Sequence, residues 1–140
     1  MIKTNHLKIN INKMMIFNRM FSSRPEHTNL KNNLIKRKDK SCIICKIDKP
    51  EYLLECAHIK PRKEANIKER KDNNIVNWMC RNCHIIYDKG DISITKSNII
   101  ISNRLKFSNR YNHLKNQKIC QKDYLLSKKY YDYHFNNIFN

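Results

Sequence analysis

The chain has 140 residues, 40% of them hydrophobic, with 29 Lys and Arg against 12 Asp and Glu for a formal net charge of +17. That length suits one domain with extensions, and no run of about 18 apolar residues is present to cross a membrane as a helix. An A/T-rich genome inflates Lys, Asn and Ile but would not remove the acids, so a charge this large, spread along the whole chain, favours a polyanionic partner, nucleic acid before anionic membrane.

In chain order, residues 1–30 form a basic N-terminal extension. Lys3, Lys8, Lys13, Arg19 and Arg24 occur with no acid before Glu26, the composition of a mitochondrial targeting segment, with a basic arm on DNA as the alternative. Residues 31–102 are the expected folded domain, holding five of the six cysteines and Trp78. Within it "YLLECAHI" reads as a strand that Pro61 stops. "PRKEANIKERKDNN" is a polar connection with a short helical turn, and "IVNWM" is a second strand. "CRNCHIIYDK" is a short helix ended by Gly90, the one glycine of the chain. "ISIT" and "NIIIS" flank "KS" as a hairpin. Residues 103–140 are expected to form a basic-aromatic, helical C-terminal extension.

Cys42-x-x-Cys45 and Cys80-x-x-Cys83 are two metal hooks separated by residues 46–79. In each hook two thiolates converge on one ion, and two hooks complete a tetrahedral four-thiolate site with no open position, hence a structural zinc. Disulfides are disfavoured because no secretory signal is visible, and redox CxxC pairs because neither opens a helix after a thioredoxin-like strand. This points to an intracellular setting, mitochondrial or viral and host-cell, rather than a secreted one. Cys56 and Cys120, unpaired by spacing, are expected to be small buried apolar residues.

A purely structural zinc module has no use for the histidines that accompany the hooks. His58 lies between them and His84 directly follows Cys83. On a helix, His84 and Asp88 are i and i+4 and can present an imidazole and a carboxylate to one cation.

The joint order of CxxC, "AHIKP", Asn, CxxCH and "YDKGDISI" resembles the HNH endonuclease family with its ββα-metal active site, over roughly residues 42–95. The resemblance implies an α+β fold: a small ββα-metal domain stapled by the four-cysteine zinc site, between basic N- and C-terminal extensions. It implies hydrolysis of DNA phosphodiester bonds, with His58 as general base and His84 as the helix ligand of a catalytic divalent cation (Mg²⁺, Mn²⁺ or Zn²⁺). Asn74 or Asn77 corresponds to the family asparagine that orients the base. Where many members carry an Asp or His ligand, this chain has Ala57. Asp88 is expected to supply the missing carboxylate, ahead of Glu55 or Cys56, on the argument of strand alternation.

Affinity for such a substrate comes from phosphate contacts. Lys60, Arg62 and Lys63, directly after the base, and Arg81, in the second hook, are the expected nucleic-acid contacts. Lys49 beside the first hook, and Lys106, Arg110, Lys115, Lys118 and Lys122 interleaved with Phe107 and Tyr111, are further candidates. The expected partner is double-stranded DNA, with a homodimer needed if both strands are cut. A non-catalytic, zinc-stapled DNA- or RNA-binding protein is the competing reading.

Overall fold

The computed structural model describes residues 24–46, 50–105 and 109–140. The targeting-segment reading falls almost wholly on residues 1–23, and Lys49, Lys106 and Phe107 also lie outside the described residues.

The centre of the fold is an antiparallel hairpin of β1 (Leu54–His58) and β2 (Val76–Cys80). Its register pairs Leu54 with Cys80, Cys56 with Trp78 and His58 with Val76. The first strand is shorter than the sequence suggested. Pro50, at φ −51°, opens a 3₁₀ turn over Glu51–Leu53, since a fixed φ and a missing N–H suit the start of a turn better than a ladder. At the other end, Ile59 N–H still donates to Ile75 C=O at 2.7 Å.

All five positions of β2 are buried. Because alternate strand residues face opposite ways, both faces of the hairpin must be covered. One cover is α1 (His27–Arg37), which places Leu30 and Leu34 one turn apart in the core; each such Leu contributes about 1.5–3 kcal/mol by burial. The other is α3 (Arg81–Asp88), which starts where β2 ends and packs on both strands. Tyr87 of this helix donates its hydroxyl to Ile59 C=O at 2.9 Å, fixing the helix to the strand end that carries His58.

The connection between the strands contains α2 (Ile67–Arg70), opened by a reciprocal cap: Asn66 Oδ1 accepts from Glu69 N–H at 2.8 Å, and Glu69 Oε1 accepts from Asn66 N–H at 3.2 Å. As expected, Gly90 stops α3. It sits at φ +78°, and a Cβ there would meet Ile138 O at 2.2 Å. The expected hairpin follows as β3 (Ile92–Thr95) and β4 (Asn98–Ile101). Lys96 and Ser97 take positive φ of 50° and 65° in its two-residue turn, the geometry that matches strand twist.

Residues beyond 102 contribute to the same core. After α4 (Gln121–Leu126) comes α5 (Lys128–Asn137), which packs on β3 and buries Tyr130, Tyr131 and His134. His134 stacks on Tyr87 with ring centroids 3.6 Å apart. Its Nε2 faces Tyr87 C=O at 2.8 Å and its Nδ1 faces Ser93 Oγ at 2.7 Å. A carbonyl only accepts, so Nε2 carries the proton and Nδ1 accepts from the serine. Burial lowers the pKa of His134 to about 4. Cys56 is buried as expected, whereas Cys120 is exposed. Cys120 precedes α4 as its N-cap, and its neighbour Ile119 takes the buried place. Among the described residues, no helix is long and apolar enough to cross a membrane.

Candidate active site

The four hook cysteines converge. Their Sγ atoms all lie within 4.8 Å of one another, with Cys45 and Cys80 4.0 Å apart. A tetrahedral zinc with Zn–S bonds of 2.3 Å needs sulfur pairs about 3.8 Å apart. The first hook docks on the hairpin through Ile43 N–H to Trp78 C=O at 2.9 Å, and Lys46 N–H closes the knuckle on Cys42 C=O, also at 2.9 Å. The second hook spans the end of β2 and the first turn of α3, so one helical turn brings Cys80 and Cys83 together. A hydrogen bond from Cys83, helped by surrounding backbone N–H groups, pulls the Cys42 thiol down to about 5. The same bond, with burial and the other sulfurs, pushes Cys83 up. Thiolates this crowded repel one another, and a cation at their centre removes that cost. The cluster can therefore hold a metal ion.

A separate cavity of about 430 Å³ opens beside the hairpin, lined by Arg24, Cys56, His58, Pro61, Arg62, Lys63, His84, Asp88 and Ile138. The end of β1 supplies His58, and the face of α3 supplies His84 and Asp88. His58 is half-buried, and its Nε2 is buried without a hydrogen-bond partner. Desolvation first, then the nearby charges of His27 and Arg24, lower its pKa to about 4. The imidazole is therefore neutral at pH 7, with a lone pair free to take a proton. His27 of α1 lies over it with ring centroids 6.2 Å apart.

His84 stands between two carboxylates: Nδ1 is 3.1 Å from Glu55 Oε2, and Nε2 is 3.2 Å from Asp88 Oδ2. The hydrogen bond to Asp88 is the largest of the influences that raise its pKa; burial opposes it and Glu55 adds to it. An imidazole so flanked attracts positive charge, whether a proton or a metal. A cation on Nε2 and Asp88 would leave Nδ1–H donating to Glu55, the carboxylate–histidine–metal relay that fixes a ligand's tautomer and orientation. Among the described residues, only the four cysteines bring three or more such ligand atoms together. His84 and Asp88 supply two, so water and substrate would have to complete a second site.

Sequence reasoning set Glu55 aside, and the structure places it on His84. Leu54 pairs with Cys80, so the first turn of α3 passes beside Glu55, and its long side chain reaches past the edge of a two-stranded sheet. The two asparagines lie elsewhere. Asn77 is buried; its Oδ1 accepts from Trp78 N–H at 2.8 Å and its Nδ2 reaches Tyr131 Oη at 3.5 Å. Asn74 accepts from Ser127 Oγ through its carbonyl at 2.6 Å and from Arg37 Nη1 through Oδ1 at 3.4 Å. Of the expected cationic contacts, Arg62 and Lys63 line the cavity. Lys60 is engaged with Glu69 at 3.0 Å and lies over the Tyr133 ring, and exposed Arg81 pairs with Glu55 at 3.2 Å. Arg24, His27 and Ile138 come from regions that no motif marked.

Residues 42–95 match a protein-family model described as HNH endonuclease. The hooks, the hairpin with its crossing helix and the start of the second hairpin all fall in that match, which covers less than half of the chain. A comparison with curated proteins finds no match.

Proposed function

From an HNH endonuclease family domain at residues 42–95, we propose that this protein is a metal-dependent endonuclease that hydrolyses DNA phosphodiester bonds. One observation carries the reading: His58, His84 and Asp88 share one cavity rimmed by Arg24, Arg62 and Lys63. A neutral imidazole, a cation-attracting pair and three positive side chains are what hydrolysis of a phosphodiester requires.

In this reading Arg62 and Lys63 hold the backbone phosphates, and the neutral His58 imidazole takes the proton of a water that attacks phosphorus. A pKa near 4 makes His58 a weak acceptor, but a bound phosphate adds negative charge beside it and raises the pKa toward the working range. Attack forms one P–O bond and breaks the bond to the 3′ oxygen, which takes a proton from water as it leaves, giving a 5′ phosphate and a 3′ hydroxyl. A divalent cation on His84 and Asp88 would supply charge stabilisation for the departing oxygen. Asn74 and Asn77, which bond Arg37, Ser127, Trp78 and Tyr131 rather than the base, brace the framework behind it, and zinc at Cys42, Cys45, Cys80 and Cys83 would pin the ends of the motif.

A specific observation keeps a non-catalytic, zinc-stapled DNA- or RNA-binding protein as the second reading. With Ala57 on β1, the cavity offers two protein ligands rather than three. The test is nicking of supercoiled plasmid by the zinc-loaded protein with added Mg²⁺ or Mn²⁺, beside His58→Ala. Metal-dependent nicking, reduced about 10²- to 10⁴-fold in the variant, is the expected result. Binding without nicking under every metal would establish the second reading.

A further inference from the structure

Helix α1 lies outside the matched segment, yet Arg24, just before it, lines the cavity and His27 in its first turn lies over the His58 ring. Glu26, its N-cap, accepts a short hydrogen bond from Arg62 Nε. The pair is sheltered, with side-chain exposures of 11% for Glu26 and 25% for Arg62. Arg62 is held from behind as well, because Arg70 Nε donates to its backbone carbonyl at 3.1 Å and Pro61, at φ −53°, fixes the turn before it. In the next turn of α1, Leu30 and Leu34 anchor the helix in the core. A guanidinium presents a planar fork of five N–H donors. A carboxylate on Nε sets the plane of that fork and leaves the Nη groups for a phosphate.

We propose that Glu26 is a positioning residue for phosphate binding in the cavity, holding Arg62 through Nε so that its Nη groups grip the nucleic-acid backbone. The inference rests on the reading of the cavity as the place where the phosphodiester sits. It makes α1 part of the working site, and it assigns an acid a favourable role at a surface that binds a polyanion.

That sign makes it testable. Removing a negative charge beside bound DNA ordinarily tightens binding; removing a positioning carboxylate weakens it. The experiment uses the full zinc-loaded chain and a fluorescein-labelled DNA duplex, with no other divalent cation added, for wild type, Glu26→Gln, Arg62→Gln and the double variant. Thermal melts accompany each protein. Glu26→Gln is expected to bind about tenfold more weakly, the low end of the scale for a lost charge-assisted hydrogen bond. Arg62→Gln is expected to weaken binding and reduce the slope of log Kd against log salt by about one. In the Arg62→Gln background, Glu26→Gln should weaken binding no further. An Arg62→Lys background, which keeps the charge but lacks Nε, should also abolish the weakening, and it serves if Arg62→Gln folds poorly. Tighter binding by Glu26→Gln would overturn the inference, making Glu26 a competitor of the phosphate. Equal weakening in all backgrounds would overturn it too, making the role one of folding alone. If the binding cycle holds while wild type nicks no plasmid, the hydrolytic reading fails and the inference stands. If wild type binds no duplex, both fall.

Discussion

The cysteine cluster and the histidine cavity draw on neighbouring residues of the same short helix, Cys83 on one side and His84 with Asp88 on the other, and they are built in different ways. The cluster is closed: four like side chains, two hooks, each tied to backbone within a few residues. The cavity is open and composite. Its walls come from Arg24 before α1, from β1, from the connection after Pro61, from α3 and from Ile138 near the C-terminal end. The cluster's groups are satisfied by one another once a cation is present. The cavity retains a buried imidazole nitrogen without a partner and a histidine between two acids. The first arrangement can stabilise a fold by holding a cation, and the second leaves an orphaned nitrogen and a flanked histidine at some cost to it.

The largest effect that tests this contrast is loss of the cluster. Cys80→Ser, or stripping the metal with a chelator, should abolish cooperative unfolding, because zinc binding by such sites is worth on the order of 10 kcal/mol and acts as folding energy. Near-UV circular dichroism of Trp78 and the tyrosines, followed on titration with zinc, reads this directly. A cooperative melt unchanged by removal of the metal would make the cluster dispensable. His58→Ala should do the reverse. Nicking is lost, but stability stays within about 1 kcal/mol of wild type, because truncation also removes a buried nitrogen that has no partner. A large drop in melting temperature for this variant would show that the imidazole serves the core rather than chemistry.

The difference in construction also explains what was legible in the sequence. The hooks could be read because spacing alone brings thiolates together within one knuckle or helical turn. The hairpin, α3 and the stop at Gly90 followed from alternation, from Pro61 and from a glycine needed at positive φ. His58, His84 and Asp88, each marked in the sequence, line one cavity. The partners of these residues were not legible. Glu55 reaches His84 because of where α3 leaves the register of the hairpin, and Glu26 reaches Arg62 across 36 positions of sequence; no periodicity encodes either contact. Burial of Tyr130 and Tyr131 was hidden for a similar reason. A basic-aromatic helix looks like a solvent-facing arm until its rings have a sheet to pack on.

A smaller effect should follow from Gly90→Ala, which tests whether the cavity's far wall depends on the chain end. The new Cβ would meet Ile138 O at 2.2 Å, at a φ of +78°. The backbone strain alone costs about 1–3 kcal/mol, and the clash must push residues 138–140 away from the turn where Asn140 N–H donates to Gly90 C=O at 3.0 Å. Because Ile138 also lines the cavity, nicking should fall along with the urea midpoint. A destabilised variant with undiminished nicking would show that the C-terminal wall is structural only.

The smallest effect concerns acid, where the two regions must be separated. The thiols and the histidines both take up protons as pH falls, so a bare melting curve mixes them. His134 offers a way through, since its imidazole bonds Ser93 and Tyr87 rather than the cysteines, His58 or His84. Its folded pKa is about 4, against an unfolded value near 6.5. Below about pH 6.5 the unfolded chain binds a proton that the folded chain refuses, so the folded state loses stability as pH falls from there toward 4, and keeps its full contribution above. One proton sets a limiting slope of about 1.4 kcal/mol per pH unit. His84 has the opposite sign, because its raised pKa stabilises the fold below about pH 6.5 and is lost as pH rises through the folded value. His134→Gln loses the stack on Tyr87, so it should be less stable than wild type at pH 7. Between pH 6.5 and 4.5, however, its stability should fall less steeply, with cysteines and cavity identical in both proteins. Parallel slopes would mean that His134 takes up its proton in the folded state and that acid sensitivity belongs to other groups, His58 and the cysteine cluster among them.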